Sequence, residues 1–106
     1  MSNNFSDAQV TISDNSLTDI TTASNKSMCI GGTLTNNHTA SINVTLKKYD
    51  SSATTDFPIL TTVPLPSGSA LEIPKIVLQT SDKIKAQSSH ASGHLTVALN
   101  LLTDIA

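Results

Sequence analysis

Three histidines and one cysteine are the residues of this chain with the strongest potential for metal binding or nucleophilic chemistry. His90 and His94 are four residues apart, a spacing that places two zinc ligands on one face of a helix. The Ala-Ser-Gly segment between them is typical of a turn, so helical geometry is not expected. A structural zinc site usually has four ligands, and nothing in the sequence brings Cys29 or His38 to this pair. We therefore expect exposed loop histidines, with no metal and no cofactor; ligands converging across a hairpin or between symmetry-related copies are the alternative.

Serines and acidic residues are numerous, but their spacing does not indicate a hydrolase. No serine lies in a G-x-S-x-G elbow, and no oxyanion loop is recognisable. Asp50 and Asp56 flank one polar loop and Glu72 stands alone, which is typical of solvated turn residues rather than of paired catalytic carboxylates. Gly31-Gly32 is not followed by the pattern of a phosphate-binding loop. These features predict a protein that is not an enzyme.

The composition makes several classes of partner improbable. The chain has 106 residues, enough for one domain, a formal net charge of -2 and no arginine. Sequence-specific nucleic-acid binding usually relies on clustered basic residues and arginine, so none is expected. No apolar run approaches the ~20 residues of a transmembrane helix, and no signal peptide is recognisable, so we expect synthesis in a cytoplasm and no membrane partner. Charged residues make up 13% of the chain, which suits a subunit held in an assembly.

Alternating apolar and polar residues predict strands along most of the chain. The organising stretch is 70–87, where Ile76 and Leu78, then Ile84 and Ala86, occupy every second position on either side of a polar turn. About seven or eight strands separated by regular turns predict a single antiparallel β-sandwich or jelly roll. Residues 1–25 are expected to supply a partner-binding arm, at 1–7, and the first strand or strands; residues 26–106 are expected to form the sandwich core.

Turn residues predict how some of these strands connect. Segments 26–36 and 39–49 are predicted to pair as a hairpin, because Asn36-Asn37-His38 between them suits a tight turn. Gly31-Gly32 within the first segment predicts a bulge or a closely approaching backbone. Pro58 places segment 57–65 at a sheet edge or a bulge, and Pro74 is expected to divide 71–78 into two short strands.

Several apolar residues do not fit one buried face of their strands. The segment that begins at Phe57 has apolar residues of both parities, and the C-terminal segment poses the same problem. Apolar side chains left outside the core of a subunit often mark a protein interface. We therefore predict an interface formed by Phe5, Phe57, Ile59, Leu60, Leu102 and Ile105.

Asp82 is predicted to stabilise the turn inside the organising stretch. Its short carboxylate can accept backbone N–H bonds within its own turn and so close the corner between Leu78 and Ile84. The substitution Asp82→Ala is expected to cost roughly 1 kcal/mol of stability.

The second half of the chain carries a pattern of strand and turn residues known from one family. The pattern consists of Val63-Pro64-Leu65-Pro66, Leu71, Val77-Leu78, Asp82, Ile84 and Ala86. Together with the first predicted hairpin, over about 26–102, it resembles a small β-sandwich module of tailed-bacteriophage virion proteins. The resemblance implies a virion structural protein, made in the host cytoplasm, that forms a homo-oligomer and contacts major capsid, neck or tail proteins.

Within the virion, a capsid decoration or cement subunit is the favoured role, because the chain is small, nearly neutral and rich in threonine. A neck, tail or fibre-attachment protein is the alternative. A receptor- or carbohydrate-binding module is a third hypothesis, which the scarcity of aromatic residues disfavours, since sugar platforms typically need stacking aromatics.

Overall fold

The structure is a computed structural model that describes residues 4–12, 14–90 and 95–104. Nine strands form among these residues: β1 (Asn4–Ile12), β2 (Thr18–Thr22), β3 (Ser27–Asn36), β4 (Ile42–Asp50), β5 (Thr55–Leu65), β6 (Ala70–Glu72), β7 (Ile76–Leu78), β8 (Lys83–Ser88) and β9 (Leu95–Thr103). The described residues include no helix, and therefore none long and apolar enough to cross a membrane. Every strand pair is antiparallel, so the predicted all-β antiparallel sandwich is confirmed.

The strands form two sheets that pack face to face. Sheet A has the order β1–β9–β3, and β6 and β7 pair one after the other along the free side of β3. Sheet B has the order β2–β8–β4–β5. The first half of the chain pairs with the second half as one antiparallel ribbon, which folds back on itself at loop 51–54. Along this ribbon β1 pairs with β9, β2 with β8, β3 with β7 and β6, and β4 with β5. A ribbon wound into two sheets in this way is a jelly roll.

The core lies between the sheets and follows from the alternation of residues. Along β9, every second side chain from Leu95 to Leu101 is buried, and the side chains between them face outward. β4 and β8 bury their apolar residues in the same way, as predicted: Ile42, Val44, Leu46, Ile84 and Ala86. These strands therefore contribute one face each to a single core.

The predicted hairpin across Asn36-Asn37-His38 is wrong. β3 lies in sheet A and β4 lies in sheet B, so the turn between them crosses from one sheet to the other. The buried side chain of Asn36 holds this crossing, because its amide donates to the carbonyl oxygens of Ala40 and Leu65, each at 2.9 Å. Its side-chain oxygen accepts from the N–H of His38 at 2.8 Å. The same Asn-rich sequence thus serves a crossing between sheets rather than a hairpin.

The N-terminal segment is a strand of the sandwich rather than an arm. β1 pairs with β9 over its whole length, from Asn4 opposite Thr103 to Ile12 opposite Leu95. β2 pairs with β8, and Ile12 and Ile20 are both part of the core. The expected arm at 1–7 is therefore ordered from Asn4 onwards by the chain's own last strand, and residues 1–3 lie outside the described part.

The glycine and proline predictions agree with the structure. The register of β3 against β9 shifts just before Gly31, which is the expected bulge. Gly32 lies so close to β9 that a Cβ there would overlap the carbonyl oxygen of Ala98. Pro74 separates β6 from β7, and Pro58 lies in β5, the outer strand of sheet B. These positions fix where the ladder of sheet A is interrupted and where sheet B ends.

Candidate interaction surface

The outer face of sheet A carries an apolar row that crosses four strands at one end of the sheet. The register places Phe5 of β1 opposite Leu102 of β9. Leu102 also lies opposite Met28 of β3. Met28 in turn lies opposite Val77 of β7. We call these four residues the outer row; Phe5 is 80% exposed, Val77 is 47% exposed, and the two central side chains are partly exposed.

The outer row exists because the inward positions of its strands are already occupied by buried residues. Met28 lies between Ser27 and Cys29, which both face inward and are buried. Leu102 directly follows the buried Leu101 and points to the opposite face. The row is therefore apolar surface that this subunit's own core does not use.

The two outer faces of the sandwich differ in charge. On sheet B, Lys83 lies 3.3 Å from the carboxylate of Asp19, and Lys85 lies 3.2 Å from that of Asp56. Lys47 lies beside Lys85 on the same face. The described strands of sheet A contain no lysine, and their charged residues are two acids, Asp7 and Glu72. Because charged groups are costly to remove from water and apolar groups are not, sheet A is the better candidate for a face that another protein covers.

Two of the predicted interface residues, Phe5 and Leu102, belong to the outer row, and a third, Ile105, lies outside the described residues. The row also includes Met28 and Val77, which the sequence does not predict. Leu34 and Asn36 are buried, so strict alternation along β3 predicts that Met28 also points inward. The bulge in β3 shifts the register by one residue and turns Met28 outward. Val77 could have been found as an apolar residue at an outward position.

The predicted interface residues of β5 have other positions. Ile59 and Leu60 pack against the core, because register shifts between β5 and β4 let neighbouring residues contact it. Both side chains are partly buried, so packing against this subunit's own core accounts for part of their apolar surface. Phe57 is 48% exposed and lies opposite Lys48, on sheet B and away from the outer row.

The carboxylate of Asp82 joins two loops at one end of the sandwich. The side chain is almost fully buried and accepts from the N–H of Gln79 at 3.0 Å, the bond within the turn that the sequence leads us to expect. It also accepts from the N–H and the hydroxyl of Ser51, each at 3.0 Å, in the loop between β4 and β5. The amino group of Lys48 lies 3.7 Å away. Asp82 therefore does more than close its own turn.

The pKa of Asp82 reflects a balance between burial and hydrogen bonding. Burial is the largest single influence, and it would raise the pKa because it disfavours the charged form. The hydrogen bonds from Ser51 and Gln79, with the charge of Lys48, together outweigh burial, so the pKa lies below the ordinary value for an aspartate. The carboxylate is therefore ionised at neutral pH, and its role is to hold the two loops together by hydrogen bonds.

The residues with the strongest potential for chemistry do not form a reactive cluster in the described part of the chain. Cys29 is buried and donates to the carbonyl oxygen of Gly31 at 3.3 Å, and burial raises the pKa of its thiol. His38 and His90 are neighbours, with ring centroids 4.4 Å apart, a proximity that the sequence does not reveal. His94 lies outside the described residues. Among those described, no three potential metal ligands come together.

Comparison with known proteins yields a similarity of fold. No family model matches the chain, and no curated protein matches its sequence. A solved structure described as Bacillus endospore appendages, a family of disulfide-linked pili, is similar with a TM-score of 0.61 and 14% identity, over 100% of this chain and 93% of that chain. Eiger TNF from S. frugiperda gives a TM-score of 0.48 and 9% identity, over 97% and 93% of the two chains. At such identity the first similarity establishes the fold alone.

Proposed function

We propose that this chain is a non-enzymatic structural subunit that assembles with other proteins through the outer face of sheet A. The observation that carries the proposal is the outer row, in which four apolar side chains lie in register across four strands. Contiguous exposed apolar surface often marks a protein contact. Covering a side chain as large as Phe5 would stabilise such a contact by about 1.5–3 kcal/mol.

The proposed setting is the virion of a tailed bacteriophage. This part of the proposal rests on the sequence resemblance, and the jelly roll is compatible with it because viral capsid domains commonly have this fold. The favoured role is a capsid decoration or cement subunit that contacts the major capsid protein and other copies of itself. A neck, tail or fibre-attachment protein would use the same surface against a different partner.

A subunit of a pilus-like fibre is the second candidate, supported by the similarity to the endospore appendage over the full length of this chain. That structure's description specifies disulfide-linked pili. Here the single cysteine, Cys29, is buried, and a disulfide between subunits requires an accessible thiol. A fibre of this chain would therefore be held together by non-covalent contacts.

A carbohydrate-binding module has less support from the structure. The chain has three aromatic residues, and a sugar platform needs exposed rings. Two amino groups lie over the ring of Tyr49, those of Lys83 at 5.8 Å and Lys85 at 4.9 Å from its centroid. Phe5 and Phe57 are exposed but lie in different sheets. The described aromatic residues thus do not combine into one stacking surface.

The proposal is tested by asking whether the chain is part of a particle. Particles or fibres are purified by density-gradient centrifugation from cells that make the chain, and its copy number is measured by quantitative mass spectrometry. We expect wild-type chain in many copies per particle, and strongly reduced occupancy for the double variant Phe5→Ser/Val77→Thr. The control Thr33→Ser changes an exposed residue on the same face and should keep full occupancy. Absence of the wild-type chain from every particle fraction, or tight binding of the free chain to one glycan on an array, would overturn the structural role.

A further inference from the structure

The free edges of the two sheets differ in how well they are protected against pairing with another strand. In sheet B, β5 carries two prolines, a positive φ at Thr62 and register shifts, and β2 has five residues with a register shift. In sheet A, the edge beyond β3 consists of two three-residue strands separated by Pro74. Short, bulged or proline-containing edges discourage pairing with other chains.

β1, the remaining edge, has none of these protections. It extends over nine residues, Asn4–Ile12, in continuous register with β9, and it contains no proline and no lysine. Its one pairing partner among the described strands is β9, so the other side of its backbone presents N–H and C=O groups without a ladder partner. An edge of this length and regularity is a template for another strand.

We propose that two copies of this chain pair antiparallel through β1, about a two-fold axis at Ala8. This register allows all nine residues of both strands to pair, and it places Asp7 opposite the partner subunit's Gln9. Asp7 is the one charged residue of β1, so no like charges face each other. A register centred on Asp7 would set the two carboxylates against each other. The inference rests on the proposed function and gives it a definite partner, a second copy of the chain.

Pairing through β1 would also combine the two outer rows on one surface. Residues that lie opposite each other in an antiparallel pair point to the same side of the sheet, so the outer faces of both copies lie on the same side. Phe5 would lie opposite the partner subunit's Thr11, whose methyl group can cover part of the ring. A two-fold dimer of this kind uses the β1 edges of both copies, so no further copy can pair there, and larger assemblies would form through the joined outer face.

The test uses the sign of the charge at position 9, which is exposed on the outer face. Gln9→Asp places a carboxylate opposite the partner subunit's Asp7, and Gln9→Lys places an ammonium group there. Each contact occurs twice in the symmetric dimer, so we expect the dimer Kd to rise about five-fold for Gln9→Asp and to fall by a similar factor for Gln9→Lys. Sedimentation velocity of the full chain over a concentration series measures both values.

The matched controls are Ala70→Asp and Ala70→Lys, at an exposed position on the other edge of sheet A, which should leave the Kd unchanged. Pairing through β1 would be overturned if Gln9→Asp and Gln9→Lys changed the Kd in the same direction, or if both left it unchanged. A chain that stays monomeric up to about 1 mM would overturn it as well. The proposed function fails separately, by absence of the chain from particles; incorporation into particles with a Kd insensitive to position 9 would refute the pairing alone.

Discussion

Replacing Asp82 with alanine should destabilise this fold more than the loss of an ordinary turn residue would. The carboxylate accepts three hydrogen bonds, one from the N–H of Gln79 and two from the N–H and hydroxyl of Ser51, each at 3.0 Å. Alanine would leave both N–H groups without this acceptor, and an unsatisfied buried donor costs about 1–3 kcal/mol. With partial access of water, we expect a total loss of about 3 kcal/mol. This exceeds the ~1 kcal/mol expected from the turn alone, because Ser51 belongs to a different loop.

Urea unfolding followed by circular dichroism measures the free energy of unfolding of each variant. A loss of about 3 kcal/mol corresponds to a fall of about 10–20 °C in Tm for a domain of this size. Asp82→Asn keeps one acceptor oxygen and should lose about half as much. Asp50→Ala is the matched control, because Asp50, at the end of β4, accepts from the N–H and hydroxyl of Ser52 in exposed bonds that join residues only two positions apart. If Asp82→Ala stays within about 0.5 kcal/mol of wild type, Asp82 does not hold the two loops together.

Three further predictions concern acid, the bulge and the thiol. Because the pKa of Asp82 is lower in the folded state, its carboxylate stabilises the fold above the unfolded pKa of about 3.9, and this stabilisation is lost as the pH falls through the folded pKa. Urea titrations at decreasing pH should show this loss of stability in the wild type, and Asp82→Asn should lack the part of the pH dependence that Asp82 contributes. Gly32→Ala should lower the free energy of unfolding by about 3 kcal/mol or more, since its Cβ would overlap the backbone of Ala98. Gly31 shares the positive φ that disfavours alanine, but a Cβ there meets no atom within 4 Å, so Gly31→Ala should cost less; equal losses in urea titrations would contradict this. The buried thiol of Cys29 should react with a thiol reagent only as fast as the chain unfolds, and rapid labelling of the native protein would show that the thiol is accessible.

Burial could be predicted from this sequence, whereas strand pairing could not. Alternation identifies the buried side of β4, β8 and β9, because a strand with one buried face must repeat its apolar residues at every second position. The turn at Asn36-Asn37-His38 shows the limit of such reasoning. Asparagine suits both a hairpin and a crossing between sheets, and the contact that decides between them, from Asn36 to Leu65, joins residues 29 positions apart.

The candidate surface was predictable only in part, for a related reason. Phe5 and Leu102 stand out by residue type, but the antiparallel register of the first and last strands makes them neighbours. Met28 joins them because a bulge between Cys29 and Gly31 reverses the parity of its strand, and parity alone does not show where a bulge occurs. Val77 completes the row through a three-residue strand. The row is thus a property of the register rather than of any contiguous segment.

The winding of the jelly roll explains why the free edge and the apolar row occur together. One end of the ribbon is closed by the β4–β5 connection, and the other end is formed by the first and last strands, β1 and β9. The outer strand at this open end has no further segment of the described chain to pair with, so β1 is left as an edge of sheet A. The row begins on this strand, at Phe5, and the lysines of β4 and β8 lie on the opposite sheet. The topology therefore separates a hydrated, lysine-bearing face from a lysine-free face that carries the outer row and ends at an unprotected edge, and a second copy placed against that edge would extend the lysine-free face.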